Sequence, residues 1–304
     1  MDSLRFLGCT LELGSSNTIR LHQIEYIKER LQERGREVNQ GRVGLPESME
    51  GKVEPVDDRT SPHYLEMKHL CQEEVGVLIW VASRTRPDIT GSVSIAATLT
   101  TFNPDEGFNL IKGSWKYLAA TVDYYLEYGS INVPRVTVFT DASFAPGGDR
   151  SRSGVVVLWK GGIVHWYTKR QPLATLSAPE SELGATVPGI KFGIGIKELT
   201  DQLVSEKERE EGFDMMGDNT ATVITITKEI SSWRSRHYAY QAGWARDQVA
   251  FQPIRVSHLP GIELPADGLT KVLQGTALKK TRIQLTLRNG KEDETDLQQY
   301  SRNW

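Results

Sequence analysis

Four carboxylates in the second half of the chain stand where predicted strands end or predicted helices begin. In chain order they are Asp141, Glu182, Asp218 and Asp267. Strand ends and helix starts meet at one edge of an α/β sheet, which is where such sheets bind ligands. Acids gathered there repel one another unless a cation lies among them, and carboxylate oxygens suit Mg²⁺ or Mn²⁺. A pair of such ions could support phosphodiester cleavage, although the wide spacing alone does not distinguish this set from scattered surface acids.

Glu180 and Glu182 must be separated, because residues two apart on a helix face different directions. The segment SAPE has the form of a capping box, in which Ser177 caps the helix and Glu180 reaches back to the cap. Pro179 is acceptable in the first turn of a helix. We therefore assign Glu180 to the helix cap and predict Glu182 as the ligand.

The elements that would position these acids follow from apolar periodicity. Strands are predicted over 136–142, 153–159 and 163–168, and the short turns between them indicate an antiparallel meander. A helix with an expected kink at Pro188 comes next, followed by the strand FDMMGD, two helices, the strand FQPIRVSH and a helix in ELPADGLTKVL. Three meander strands followed by strand–helix alternation predict a mixed five-stranded sheet with helices on both faces.

The rest of the chain divides by composition. A short piece, 1–39, contains a strand-like LRFLGCTLEL and a helix-like QIEYIKERLQER, and a linker rich in Gly, Pro and charge follows over 40–62. The region 63–130 is mostly helical, with one helix expected to end before Pro87. The sheet domain is placed at 134–274, and 275–304 is predicted to be a polar tail.

Composition restricts the class of protein. The chain has 38% hydrophobic residues, a formal net charge of -3 and two cysteines. The hydrophobic content is typical of a folded protein. Two cysteines cannot make a disulfide framework or a four-ligand zinc site, so we expect a reducing compartment. The longest apolar run, VGVLIWVA, is too short to span a membrane, and the N-terminus lacks a secretory signal, so we expect an intracellular protein that is not secreted. The charge favours no particular partner.

Several separated motifs, in order, resemble the C-terminal part of copia-type LTR retrotransposon Pol polyproteins. RFLGCTLEL is similar to the primer-grip region of the reverse transcriptase, and VGVLIWVASRTRPDI is similar to its connecting helix and Thr-Arg-Pro-Asp-Ile signature. The ribonuclease H domain of the family is matched, in family order, by FTDASFAPGGDRSRSG, WYTKRQPLATLSAPESELGA, GDNTATV and LPADGLTK, which resemble its segments. The resemblance runs from about Leu4 to Leu273, nearly the whole chain.

The resemblance implies a ribonuclease H-like domain preceded by a small, mostly helical remnant of the reverse transcriptase thumb and connection region. It implies that Asp141, Glu182, Asp218 and Asp267 hold two Mg²⁺ ions, with Mn²⁺ as an alternative, and that His258 matches a mobile histidine that assists proton transfer or product release. The expected activity is hydrolysis of the RNA strand of an RNA/DNA hybrid. The expected partners are that hybrid and the upstream reverse transcriptase domain, in a cytoplasmic virus-like particle or the nucleus.

Side chains near the proposed ligands supply candidate substrate contacts. Small or amide groups suited to a ribose 2′-OH or an A-form backbone are Ser143, Gln171 and Asn219. Cations suited to phosphates are Arg150, Arg152, Lys169, Arg170 and, in a separate basic and aromatic segment, Arg236. Each of these cations singly is equally consistent with an ordinary solvated rim.

Three departures from the family pattern shape the alternatives. The segment carrying the polymerase aspartates is not in this sequence, so we expect no DNA polymerase activity from this chain alone. The usual Glu-Ala-Glu is replaced by APESE, and the helix carrying Glu182 has more glycine than a helix favours, as in GIKFGIGIKEL. The main alternative is therefore a truncated, inactive remnant that at most binds nucleic acid. A retroviral-type integrase falls behind, because it would need two aspartates followed by a glutamate.

Overall fold

The structure, a computed structural model, describes residues 3–14, 18–38, 44–45, 53–129, 135–145, 150–209, 211–228 and 238–290. The strands are β1 (Ser3–Phe6), β2 (Cys9–Leu13), β3 (Ile19–His22), β4 (Tyr125–Tyr128), β5 (Val136–Ser143), β6 (Arg152–Trp159), β7 (Gly162–Arg170), β8 (Phe213–Gly217), β9 (Ile254–His258) and β10 (Leu287–Arg288). The α-helices are α1 (Ile24–Glu33), α2 (Pro62–Arg84), α3 (Thr90–Phe102), α4 (Pro104–Ala120), α5 (Ala178–Leu203), α6 (Thr220–Thr227), α7 (Ala239–Phe251), α8 (Asp267–Thr270) and α9 (Gly275–Gln284). The chain forms two compact units, 1–130 with 271–304 and 131–270.

The first unit, residues 1–130 with 271–304, combines helices with a small sheet in the order β1-β2-β3-β4-β10. The strand-like segment LRFLGCTLEL is a hairpin, because Leu7 and Gly8 turn the chain with φ values of 50° and 75°. Helix α2 begins where Ser61 accepts a hydrogen bond from the Tyr64 amide at 3.2 Å. It ends at Arg84, before Pro87, as the sequence predicted. The buried apolar side chains of α1 to α4 form the core of this unit.

The predicted polar tail from residue 275 is wrong as far as residue 288. Helix α9 and strand β10 occupy this stretch, and β10 pairs antiparallel with β4. The reason is a set of buried apolar side chains that a composition average hides: Leu278, Ile283, Leu285 and Leu287. Val272 and Leu273 also pack on the core of the first unit, although we had assigned them to the sheet domain. Residues 291–304 lie outside the described residues.

The second unit, residues 131–270, contains the mixed sheet that the sequence predicted, in the order β7-β6-β5-β8-β9. Strands β5, β6 and β7 form the antiparallel meander, whereas β8 and β9 run parallel to β5. Helix α5 packs on one face of the sheet, against Val138 and Thr140 of β5. Helix α8 packs on the other face, against Gly154 of β6. The predicted fold class, a five-stranded mixed sheet with helices on both faces, is confirmed.

Two glycines of helix α5 have a packing reason. A Cβ on Gly189 would overlap the Thr140 side chain, and a Cβ on Gly193 would lie 2.5 Å from the Phe213 ring and 2.9 Å from Val138. These glycines therefore let α5 approach the sheet closely. Gly195 is exposed and a Cβ there would contact nothing within 4 Å. Since the helix continues through this stretch, its glycine content reflects close packing at two positions and is not by itself a sign of decay.

We expect Gly193→Ala to destabilise the protein by about 1–3 kcal/mol, because the added methyl forces α5 away from the sheet. Gly195→Ala is the matched control on the same helix. It should be neutral or stabilise by up to about 1 kcal/mol, since alanine favours the helix and meets no neighbour. Urea unfolding followed by circular dichroism measures both changes. Equal effects of the two substitutions would contradict the packing explanation.

Candidate metal centre

Three of the four predicted acids come together at one edge of the second unit. Asp141, Glu182 and Asp218 each place a carboxylate oxygen within 4.8 Å of the other two. Asp141 is 1% exposed and Glu182 is 7% exposed, whereas Asp218 is half-buried. Two buried carboxylates and a third at their side therefore form one compact acidic group that is open to solvent on the Asp218 side.

The sheet itself places Asp141 beside Asp218. Strands β5 and β8 are parallel neighbours, and Thr140 pairs with Gly217 in their register. Asp141 and Asp218 are the next residues along these two strands, so they leave the same edge of the sheet side by side. Parallel neighbours lie about 4.8 Å apart, so side chains at these two strand ends start close together. The prediction that these acids meet at a strand-end edge thus has a simple geometric basis.

Helix α5 supplies the third acid from its first turns. The Ala142 amide donates a hydrogen bond to Glu182 Oε1 at 3.2 Å, which ties this carboxylate to the end of β5. Glu180 turns the other way, and its Oε2 accepts from the Leu176 amide at 2.6 Å. Ser177 Oγ accepts from the Glu180 amide at 3.3 Å and caps the helix. Glu182, and not Glu180, is the carboxylate that reaches the acidic group.

Asp267, the fourth predicted ligand, does not belong to the group of three among the described residues. It is the first residue of α8 and is half-buried. Three residues later in the same helix, Thr270 donates a hydrogen bond from Oγ1 to Asp141 Oδ2. Helix α8 therefore contacts the acidic group through the hydroxyl of Thr270, while the Asp267 carboxylate lies outside the 4.8 Å cluster.

The chain after β9 packs against Asp218. His258 Nε2 lies 3.0 Å from the Asp218 carbonyl oxygen, and since the carbonyl can only accept, the imidazole donates. A Cβ on Gly261 would come within 2.8 Å of Asp218 Oδ2, so the absence of a side chain there leaves room for the carboxylate. His258 is exposed. His258, the predicted proton-transfer residue, thus lies beside the acidic group, and its contact is with the main chain of Asp218.

The predicted small and amide contacts differ in what they can offer a substrate. Ser143 Oγ is buried and has no hydrogen-bond partner among the described residues. Asn219 Oδ1 caps α6 by accepting from the Thr222 amide at 2.9 Å. Gln171 uses its amide Nε2 inside the protein, donating to Ser153 Oγ at 2.9 Å and to the Ser181 carbonyl at 2.8 Å. Gln171 therefore connects β6 to α5.

The predicted cations divide by burial. Arg150 and Lys169 are exposed, and Arg170 is half-buried. Arg152 is only 1% exposed, so its guanidinium lies within the protein and not at a surface that a phosphate would approach. Burial of an arginine at the start of β6 is a tertiary feature that a turn-rich sequence does not reveal. Arg236 lies outside the described residues.

The acidic group fits a hard divalent cation. All three donors are carboxylate oxygens, which is the ligand type of Mg²⁺ and Mn²⁺, and neither thiol nor imidazole belongs to the group. Three carboxylates in a partly buried site repel one another strongly, because charges interact more strongly there than in bulk water. A cation among them would remove that repulsion. The donor set therefore supports a divalent metal, and it leaves the choice between Mg²⁺ and Mn²⁺ open.

Sequence reasoning missed three residues that shape this site. They are Thr270, Gly154 and Gly261, and none of them is among the predicted site residues, although GLT follows Asp267 and LPG follows His258. A glycine or threonine next to a ligand has many ordinary roles, so residue type alone gives no signal. Their importance comes from close approaches between segments that are distant in sequence.

The strand order of the second unit, with an acidic group at the shared edge of β5 and β8, defines a ribonuclease H-like domain. Comparisons with known proteins agree with the motifs. No protein-family model matches the chain. The retrovirus-related Pol polyprotein from transposon TNT 1-94 of Nicotiana tabacum is 27% identical over 202 residues, covering 66% of this chain and 15% of the polyprotein. The retrovirus-related Pol polyprotein from transposon RE2 of Arabidopsis thaliana is 25% identical over 207 residues. The match covers 67% of this chain and 14% of the polyprotein.

A further relative is the secreted RxLR effector protein 161 of Plasmopara viticola, which is 30% identical over 112 residues, 36% of this chain and 78% of that protein. The resemblance to retrotransposon-related Pol polyproteins that the motifs indicated is confirmed. The chain spans about 15% of the length of the curated polyproteins that it matches.

Solved structures similar to the chain include LC11-RNase H1, isolated from compost, at 15% identity over 49% of this chain and 98% of that one, with a TM-score of 0.35. The structure of LC11-RNase H1 in complex with an RNA/DNA hybrid matches at 15% identity, with a TM-score of 0.35. The match covers 44% of this chain and 93% of that one. RNase H1 from Halobacterium salinarum matches at 15% identity over 48% and 98%, with a TM-score of 0.32.

Within the described part of the chain, no helix has the length and apolar character needed to cross a membrane.

Proposed function

We propose that this chain is a metal-dependent ribonuclease H that cuts the RNA strand of RNA/DNA hybrids, as part of a retrotransposon reverse transcriptase polyprotein. The observation that carries the proposal is the meeting of Asp141, Glu182 and Asp218 within 4.8 Å at the strand-end edge of the sheet. The relationship to Pol polyproteins supports the choice of nuclease over another use of the same site. The intracellular location remains a prediction that goes with this function.

Each acid has a defined place in the proposed site. Asp141 and Asp218 offer oxygens from adjacent strand ends, and Glu182 offers one from the start of α5. These three would hold Mg²⁺ or Mn²⁺, with Asp267 as a further ligand at the start of α8. When bound, a pair of such ions lowers the pKa of the attacking water and stabilises the leaving oxygen.

The surrounding side chains suit the backbone of a hybrid. Ser143 lies two residues after Asp141 on β5 and would exchange a hydrogen bond with a ribose 2′-OH. Arg150 and Lys169 are exposed and would contact phosphates, as would Arg170. His258, beside Asp218, would move a proton at the leaving oxygen. Asn219 lies next to Asp218 in the sequence and would contact a ribose of the hybrid.

The test is cleavage of an end-labelled RNA/DNA hybrid by the purified chain in Mg²⁺, in Mn²⁺ and with a chelator. We expect cutting of the RNA strand alone, dependence on the metal, and loss of cutting in Asp141→Asn. Duplex DNA of the same sequence is the control substrate and should stay intact. If wild type and Asp141→Asn both bind the hybrid and neither cuts it, the inactive remnant that binds nucleic acid is the correct description.

A further inference from the structure

Thr270 is a deeply buried polar partner of the acidic group. It is 1% exposed, and its hydroxyl donates to Oδ2 of Asp141, a residue on the central strand of the sheet. An ionised carboxylate can only accept, so the hydroxyl is a natural partner for it. The same Oγ1 lies 3.1 Å from the Asp267 carbonyl oxygen, but one hydroxyl proton serves one acceptor at a time. A carboxylate that holds a metal ion is ionised, and an ionised carboxylate is a stronger acceptor than a carbonyl.

Two contacts bring helix α8 to this position. Gly154 of β6 pairs with Asp141 of β5. A Cβ on Gly154 would come within 2.8 Å of Thr270 Cγ2 and 2.9 Å of the Ala266 carbonyl oxygen. The glycine therefore lets α8 lie directly on the sheet. Thr168 Oγ1, on β7, donates to the Leu269 carbonyl at 2.7 Å and holds the end of the helix. Helix α8 thus contacts two strands of the sheet, and within these contacts only the Thr270 hydroxyl reaches Asp141.

From this geometry we infer that Thr270 is a positioning residue for the metal-binding carboxylate of Asp141. Its hydroxyl occupies Oδ2 and fixes the orientation of the carboxylate relative to Glu182 and Asp218. Because Thr270 and Asp267 belong to the same short helix, the hydrogen bond also sets where the Asp267 carboxylate lies relative to Asp141. The inference rests on the proposed function, since it assigns a role within the same site.

Three variants separate this role from ordinary packing. Thr270→Val keeps the shape of the side chain and removes the hydroxyl, and Thr270→Ser keeps the hydroxyl and removes the methyl group. Thr168→Val is the matched control, because it removes a hydroxyl that holds the same helix without touching Asp141. Each variant is examined by Mn²⁺ titration calorimetry, by thermal unfolding and by the dependence of hybrid cleavage on Mn²⁺ concentration.

We expect Thr270→Val to weaken Mn²⁺ binding by about 10-fold or more, the usual effect of losing a hydrogen bond to a metal-binding carboxylate. Thr270→Ser should bind Mn²⁺ within about 2-fold of wild type, as rescue by the retained hydroxyl. Thr168→Val should lower the unfolding temperature and leave Mn²⁺ affinity within the same range. Equal Mn²⁺ affinities in Thr270→Val and Thr270→Ser would overturn the inference, as would an equal loss in Thr168→Val.

The titration separates failure of this inference from failure of the proposed function. Wild type that binds Mn²⁺ but does not cut the hybrid contradicts the nuclease and still tests Thr270 through metal affinity. Wild type that cuts the hybrid, with Thr270→Val indistinguishable from it in Mn²⁺ affinity and in metal dependence, contradicts the positioning role alone. A wild type that binds no Mn²⁺ contradicts both.

Discussion

Glu182→Gln is expected to lower the rate of RNA cleavage by about 100-fold or more at saturating Mg²⁺. The amide keeps the size of the side chain but loses the negative charge that would hold the cation, and metal ions contribute several kcal/mol to transition-state stabilisation. The hydrogen bond from the Ala142 amide to Oε1 can persist with an amide oxygen, so the fold should tolerate the change. Initial rates on an end-labelled hybrid measure the effect.

Glu180→Gln is the matched control for this prediction. It makes the same chemical change two residues earlier on the same helix, where the carboxylate accepts from the Leu176 amide. Cleavage should stay within about 2-fold of wild type, and any effect should be on stability, by about 1 kcal/mol or less at a helix cap. Equal losses of activity in the two variants would show that the helix start, and not the Glu182 carboxylate, is what cleavage requires.

Arg86→Met is expected to destabilise the first unit by about 3–5 kcal/mol, because it leaves the Asp88 carboxylate buried without its cation. Both side chains are fully buried, and the guanidinium pairs with Asp88 at 3.0 and 2.8 Å. It also donates to Thr121, to the carbonyl oxygen at 2.9 Å and to Oγ1 at 2.7 Å. Burial, followed by the nearby Asp88 carboxylate, raises the pKa of Tyr117, so this phenol stays protonated and donates to Asp88.

Arg84→Met serves as the comparison for the loss of an arginine. Arg84 is exposed at the end of α2 and lies over the Trp80 ring at 4.6 Å, a contact worth about 0.5–1 kcal/mol at an exposed site. Urea unfolding of both variants, followed by circular dichroism, measures the difference. A cost for Arg86→Met no larger than that for Arg84→Met would contradict the importance of the buried ion pair.

Local signals in the sequence predicted the sheet of the second unit closely. The meander strands were expected at 136–142, 153–159 and 163–168, and they extend by one or two residues at their ends in the structure. Alternating apolar residues and short turns determine these strands within a few positions of sequence. The start of α5 after Ser177 was predicted from equally local signals, a capping side chain and a proline in the first turn.

Elements that depend on distant partners could not be predicted in the same way. Strand β10 has two residues and exists because it pairs with β4, far away in the chain. Helix α8 was expected to be longer and is confined to Asp267–Thr270. The exclusion of Asp267 from the acidic group follows from where this short helix lies on the sheet. Burial of Arg152 is likewise a tertiary outcome, and nothing in the residues around it distinguishes an interior arginine from an exposed one.

The register of β5 and β8 has a consequence for how this site can persist during divergence. Thr140 pairs with Gly217, so main-chain hydrogen bonding sets the separation of the two aspartates that follow. Backbone pairing of this kind is indifferent to most side chains on the strands, and core residues can be exchanged while the spacing between the acids is retained. A site anchored in this way can survive wide drift of the surrounding sequence.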